Sequence, residues 1–137
     1  FLGTAGFAVL FGVPRDQYLP VGFCGLCGWT VYLLMIRLAG ASVIESTFVA
    51  TMAVVLVSRF MAVRRRCPVI VFQICGVFPL IPGAGIFWTA YYVVVKELST
   101  AVSTGFTALG VTVAIVLGII FITSLPGHIF KFVAKKE

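Results

Sequence analysis

Charge is what this sequence has least of. Only 10% of its 137 residues are Asp, Glu, Lys or Arg, and four of these are acidic, where soluble domains carry about 25% charged residues. So few charges cannot clothe a chain of this length in a polar surface, which excludes most water-soluble folds. No short repeat is present, which excludes a collagenous or low-complexity class, and the length excludes a two-domain soluble enzyme. The chain also lacks a nucleophile paired with a base, a metal-ligand cluster, and a phosphate-cradling glycine loop followed by Lys. Enzyme chemistry, a bound metal and a cofactor are therefore not expected. What the sequence has instead is 61% hydrophobic residues, with 14% aromatic. That aromatic content excludes disorder, and it makes lipid the solvent for most of the chain.

The net charge of +6 does not point to nucleic acid. A nucleic-acid binder shows a basic face within a polar sequence, whereas here the basic residues sit between apolar runs, as residues that set membrane orientation do. Cys24, Cys27, Cys67 and Cys75 all lie in or beside apolar stretches, which fits buried thiols better than a secreted disulfide framework.

A spanning helix needs about 20 mostly apolar residues, and uncharged runs between basic clusters give five candidates. Residues 1–13 are too short to cross and read as the end of a helix whose start is missing. Residues 20–38 and 44–63 are the second and third. Residues 68–95 form a long, broken fourth, and residues 103–125 a fifth without any charge. The expected fold is all-α: a polytopic helical membrane protein, one membrane domain over residues 1–137, of about five transmembrane segments.

With five crossings, alternate loops collect Arg15, then Arg59 with Arg64, Arg65 and Arg66, then Lys131, Lys135 and Lys136. The other side holds Arg37, Lys96, Glu45 and Glu97. Retained cytoplasmic loops are rich in Lys and Arg, so the tail KFVAKKE is placed in the cytoplasm. A second crossing by the fourth segment would move that tail to the wrong side, which argues for one.

The fourth segment reads PVIVFQICGVFPLIPGAGIFWTAYYVVV, with Pro79, Pro82, Gly83 and Gly85 at its centre. Two prolines three apart remove two backbone donors and clash with preceding carbonyls, so two half-helices joined by irregular backbone are expected. Lipid does not tolerate such backbone unless protein buries it or it lines a watery cavity. Secondary transporters hold substrates at interrupted helices, where the free amides of the second half carry partial positive charge. Gly83 and Gly85 would let a carboxylate approach those amides. A proline-kinked helix with no ligand is the plain alternative. Beyond the break, Phe87, Trp88, Tyr91 and Tyr92 act either as packing aromatics or, for the tyrosines, as hydroxyls facing a cavity.

GFAVLFGVPR at the start, GWTVYLL after it, Pro68 behind the basic cluster, FPLIPG at the break and a closing SLPG together resemble the small membrane subunit of the threonine/serine exporter family. The resemblance covers nearly the whole chain in order, and PxxPG is its most specific part. It implies a non-enzymatic exporter of small amino acids, or of dicarboxylates such as succinate, in the bacterial inner membrane. In that family the unit either forms the second half of a single-chain exporter or works with a separate, larger partner subunit; a chain of four or five spans has little room for a complete pathway, so a homo- or hetero-oligomer is expected. In many members a Tyr follows four residues after the motif's Gly; here that position is Phe87. Whether Tyr91 replaces it is open. The candidate substrate-binding set is therefore Pro79, Pro82, Gly83, Gly85, Phe87 and Tyr91. A scaffold subunit that binds no substrate remains an alternative within transport.

Other constellations carry less. Gly110, Ala114 and Gly118 put three small side chains on one helix face, and Gly22, Gly25 and Gly28 make a similar strip; such faces let helices approach closely. Thr47 and Thr51 share a face and commonly back-bond to their own helix. Cys24 and Cys27 form a CxxC, whose redox reading would make the chain a membrane thiol oxidoreductase. Arg59 reads as a snorkelling anchor, Glu45 and His128 as hydrated boundary residues. No acidic residue lies near the middle of a segment, so a proton-relay carboxylate would have to come from a partner.

Overall fold

The computed structural model describes residues 1–125, and every regular element in them is helical. Lys131, Lys135 and Lys136, His128 and the end of SLPG lie outside the described residues. Six α-helices follow in order: α1 (Leu2–Leu10), α2 (Tyr18–Leu38), α3 (Val43–Arg65), α4 (Val69–Val77), α5 (Gly83–Val94) and α6 (Leu98–Thr123), with one-turn 3₁₀ helices at Arg15–Gln17 and Phe78–Leu80.

Three of these units, Arg15–Leu38, Val43–Arg65 and Leu98–Thr123, are long and apolar enough to cross a membrane, and Val69–Leu80 with Gly83–Val94 makes a bent fourth. At 1.5 Å per residue, α1 is roughly 14 Å long, about half of the 30 Å hydrocarbon layer. The described residues thus offer three candidate crossings, or four with the bent pair, and α1 is by itself too short to be the fifth of the expected set.

Helix limits follow local chemistry. α3 starts at a capping box: the Glu45 amide donates to Ser42 Oγ at 3.3 Å, and the Ser42 amide donates to the Glu45 carboxylate at 2.9 Å. Glu45 is thus more than a hydrated boundary residue, and the S-x-x-E spacing before an apolar run is the signal for it. α3 ends at Arg66, which adopts a left-handed conformation (φ 53°) just before Cys67 and Pro68. Proline then prevents the helix from continuing.

α3 is the centre of the bundle, with α2 and α4 on one flank and α6 on another. Small residues make the close approaches. A Cβ on Gly28 would run into Val54 of α3, and one on Gly25 into Thr4 of α1. A Cβ on Gly118 would lie 3.2 Å from the Phe48 carbonyl. Both glycine strips seen in the sequence are therefore packing faces, without a hydrophobic driving force between helices in lipid. Thr47 and Thr51 bond back to the carbonyls of Val43 and Thr47, at 2.7 and 2.8 Å.

Contacts between α3 and α6 rise together in number: Ile44 meets Gly110, Thr51 meets Gly118, and Arg59 meets Ile122. The two helices are parallel. The chain between them, α4 and α5, must therefore travel from one end of the bundle to the other once. α5 then runs antiparallel to α6, with Gly85 against Ala108 and Thr89 against Gly105.

Candidate functional site

The α4–α5 segment is broken where the prolines stand. α4 ends at Val77, a 3₁₀ turn occupies Phe78–Leu80, Ile81 is extended (φ −62°, ψ 131°), and α5 begins at Gly83. The two halves meet at 44°. Pro79 has no N–H to give the Cys75 carbonyl and Pro82 none for the Phe78 carbonyl; the latter instead accepts from the Ile81 amide at 3.2 Å.

Protein covers one flank of this turn. Val77 and Leu80 are buried with Ala50 and Val54 of α3 and with Val111 and Ile115 of α6. The Phe78 ring lies 4.2 Å from that of Phe7 and 5.7 Å from that of Phe11 on α1. The other flank is open: Ile81 is 45% exposed, and a Cβ on Gly83 would meet nothing within 4 Å.

The first-turn amides of α5 differ in their partners. Gly83 donates to the Ile81 carbonyl at 2.8 Å and Ile86 to the Pro82 carbonyl at 3.0 Å. Among the described residues, the Ala84 and Gly85 amides have no backbone partner. These two carry the partial positive charge of the helix start.

The candidate residues do not converge on one point. At 100° per residue, Gly83, Phe87 and Tyr91 fall on one side of α5 and Gly85 on the opposite side with Thr89. Gly85 is pressed to α6, its would-be Cβ 3.3 Å from that of Ala108, and its carbonyl accepts from the Thr89 hydroxyl at 2.7 Å. Phe87 and Tyr91 point away, at 63% and 48% exposure. They belong to an aromatic cluster in which Trp88 lies 5.5 Å from both rings. No residue of α5 is buried. Pro79 and Pro82, both half-buried, shape the turn itself.

An apolar groove of about 710 Å³ runs between α3 and α6, lined by Phe48, Phe106, Leu109, Val113 and Leu117 with Glu45 at its mouth. No residue of the break lines it. Its walls hold hydrocarbon, whereas the break holds free amides, so the polar chemistry of a substrate belongs to the break rather than to the groove.

One further residue has a role that its sequence reading did not include. Arg59 is more than an anchor: its guanidinium donates to the carbonyls of Ile122 at 2.8 Å, Leu125 at 3.1 Å and Thr123 at 3.2 Å. It closes the C-terminal end of α6, where cations complement the helix dipole. All four cysteines are free thiols; Cys24 is fully buried beside Cys75 and Phe72, and Cys27 half-buried. A sulfur held in that way is poorly placed to meet an oxidant.

A bundle with three helices, or four counting the bent pair, long and apolar enough to cross a membrane fits a multi-pass membrane protein, and an interrupted helix among them is a feature that secondary transporters share. A sequence model of the family described as Threonine/Serine exporter, ThrE, matches residues 1–125. The chain belongs to that family, and is thus a membrane transporter subunit of threonine/serine-exporter type. Searches among curated proteins and among solved structures find no match.

Proposed function

We propose that this chain is the small membrane subunit of a bacterial inner-membrane exporter of threonine and serine, and that the start of α5 receives the substrate carboxylate. The observation that carries this reading is the pair of unpartnered amides on Ala84 and Gly85, at a broken helix with an open flank beside Gly83. Backbone donors at a helix start are a ready anion site. The Cys75 carbonyl, deprived of its usual donor by Pro79, offers partial negative charge nearby along the chain, a partner for an ammonium group. Donors and an acceptor together suit an amino acid better than a dicarboxylate.

Phe87 and Tyr91 face away from the bundle, so a larger partner subunit or a second copy completes the site against them. Access alternates as α5 and that neighbour move against the α2–α3–α4 body. The basic end, with Arg15 and Arg64 to Arg66, faces the cytoplasm, as the positive-inside rule requires; labelling of an Arg64→Cys variant from outside intact cells would reverse that orientation.

The test is efflux of labelled threonine, serine and succinate from cells expressing this chain with its larger partner. Gly83→Leu is the decisive variant, because its side chain meets nothing within 4 Å in the bundle. Lost export with retained co-purification supports substrate binding at the break. Lost co-purification assigns the chain a scaffold role, and unchanged export removes the break from the pathway.

A further inference from the structure

At the opposite end of the α2/α3 pair from the Ser42 cap lies a pocket of about 280 Å³, lined by Leu19, Pro20, Phe23, Met61, Arg64 and Arg65. Two features of it belong together. Arg64 and Arg65 have no hydrogen-bond or ion-pair partner among the described residues. Directly beside them, Leu19 and Phe23 are large apolar side chains left 73% and 45% exposed. A pair of unneutralised cations above an uncovered apolar wall is complementary to a molecule with an anionic head and a hydrocarbon body.

We infer that this pocket is a binding site for an anionic phospholipid, with the phosphodiester held between Arg64 and Arg65 and one acyl chain laid over Leu19 and Phe23. The placement suits such a ligand. Leu19 is in the first turn of α2 and Arg65 is the last residue of α3, so the pocket sits where the apolar span gives way to the headgroup layer. Basic pockets between transmembrane helices bind lipid headgroups in this way. Guanidinium forks also match phosphate oxygens better than ammonium groups do. A free phosphate would use the cations and leave the apolar wall uncovered, so the lipid is the better occupant.

The consequence is structural. The lipid bridges the start of α2 to the end of α3, immediately before the Arg66 to Pro68 turn that launches α4. It therefore holds the body of the bundle against which the broken segment works. The inference stands on the pocket alone and does not depend on what is exported.

The experiment is thermal unfolding of the full chain in detergent micelles, titrated with phosphatidylglycerol, with phosphatidylcholine of the same acyl chains, and with inorganic phosphate. A saturable rise in Tm with phosphatidylglycerol alone is expected. Arg64→Gln with Arg65→Gln should weaken the apparent affinity at least tenfold. Arg37→Gln with Lys96→Gln, which removes two charges from the other end, should leave it unchanged. Equal stabilisation by phosphatidylcholine would overturn the site, as would loss of the effect in the Arg37 and Lys96 pair, which marks diffuse charge. Saturation by inorganic phosphate would overturn the lipid as its occupant. The three titrations of the unaltered chain decide the matter even if the arginine pair does not fold.

Discussion

The body of the bundle and α5 are built from similar residues and behave differently. α2, α3 and α4 meet through glycine, alanine and threonine, and α3 alone buries eight residues, so each helix there is held from more than one side. α5 buries none and rests chiefly on α6 through Gly85 and Thr89. Both are apolar, so hydropathy does not separate them. What separates them is how many neighbours each helix has to lean on: the body can keep its shape alone, and α5 needs another surface to complete its outer face.

Substitutions at glycines should break that contrast most sharply. Gly28→Leu drives a side chain into Val54 and the Ala50 carbonyl in the middle of the body, and should cost ~3 kcal/mol, the upper end for overpacking; equilibrium unfolding in micelles measures it. Arg59→Gln removes a charged donor from three carbonyls at the end of α6 and should cost about 2 kcal/mol, read in the same assay together with earlier proteolysis after α6. Gly85→Leu meets Ala108 of α6 first and Pro82 of the break less closely and should cost about 1 kcal/mol, lifting α5 from α6 while the body stays folded; disulfide trapping between introduced cysteines at 89 and 105 would report the separation. Phe87→Ala should change unfolding of the isolated chain by no more than ~0.5 kcal/mol, yet weaken co-purification with a partner that covers that face. If Phe87→Ala proves as costly as Gly28→Leu, α5 is no outlier and the contrast fails.

Much of this architecture was legible without coordinates. The span positions follow from charge-free runs and basic clusters, and the break follows from what Pro79 and Pro82 withhold from the backbone. Single crossing by the fourth segment, argued from loop charge, agrees with the parallel course of α3 and α6. The glycine strips announced close packing. Partners were not legible. Gly110 and Gly118 could have faced any helix, and Arg59 reaches carbonyls more than 60 residues away, a pairing that no local pattern encodes. The capping box at Ser42 was readable but easily passed over beside the longer apolar signal. The opposed directions of Gly83 and Gly85 follow from their spacing of two on one helix; what the sequence did not carry is that the Gly85 side turns to α6 and the Gly83 side is left bare.

By itself, the sequence determined that this chain lives in lipid, roughly where its apolar helices lie, and that one of them must be interrupted, because solvation and the missing proline donors act within a few residues. Only the tertiary structure decided which face of each helix touches protein and which is left bare. In hydrocarbon, leucine against lipid and leucine against leucine are nearly equivalent, so the choice rests on shape and on distant polar partners that a linear pattern does not carry.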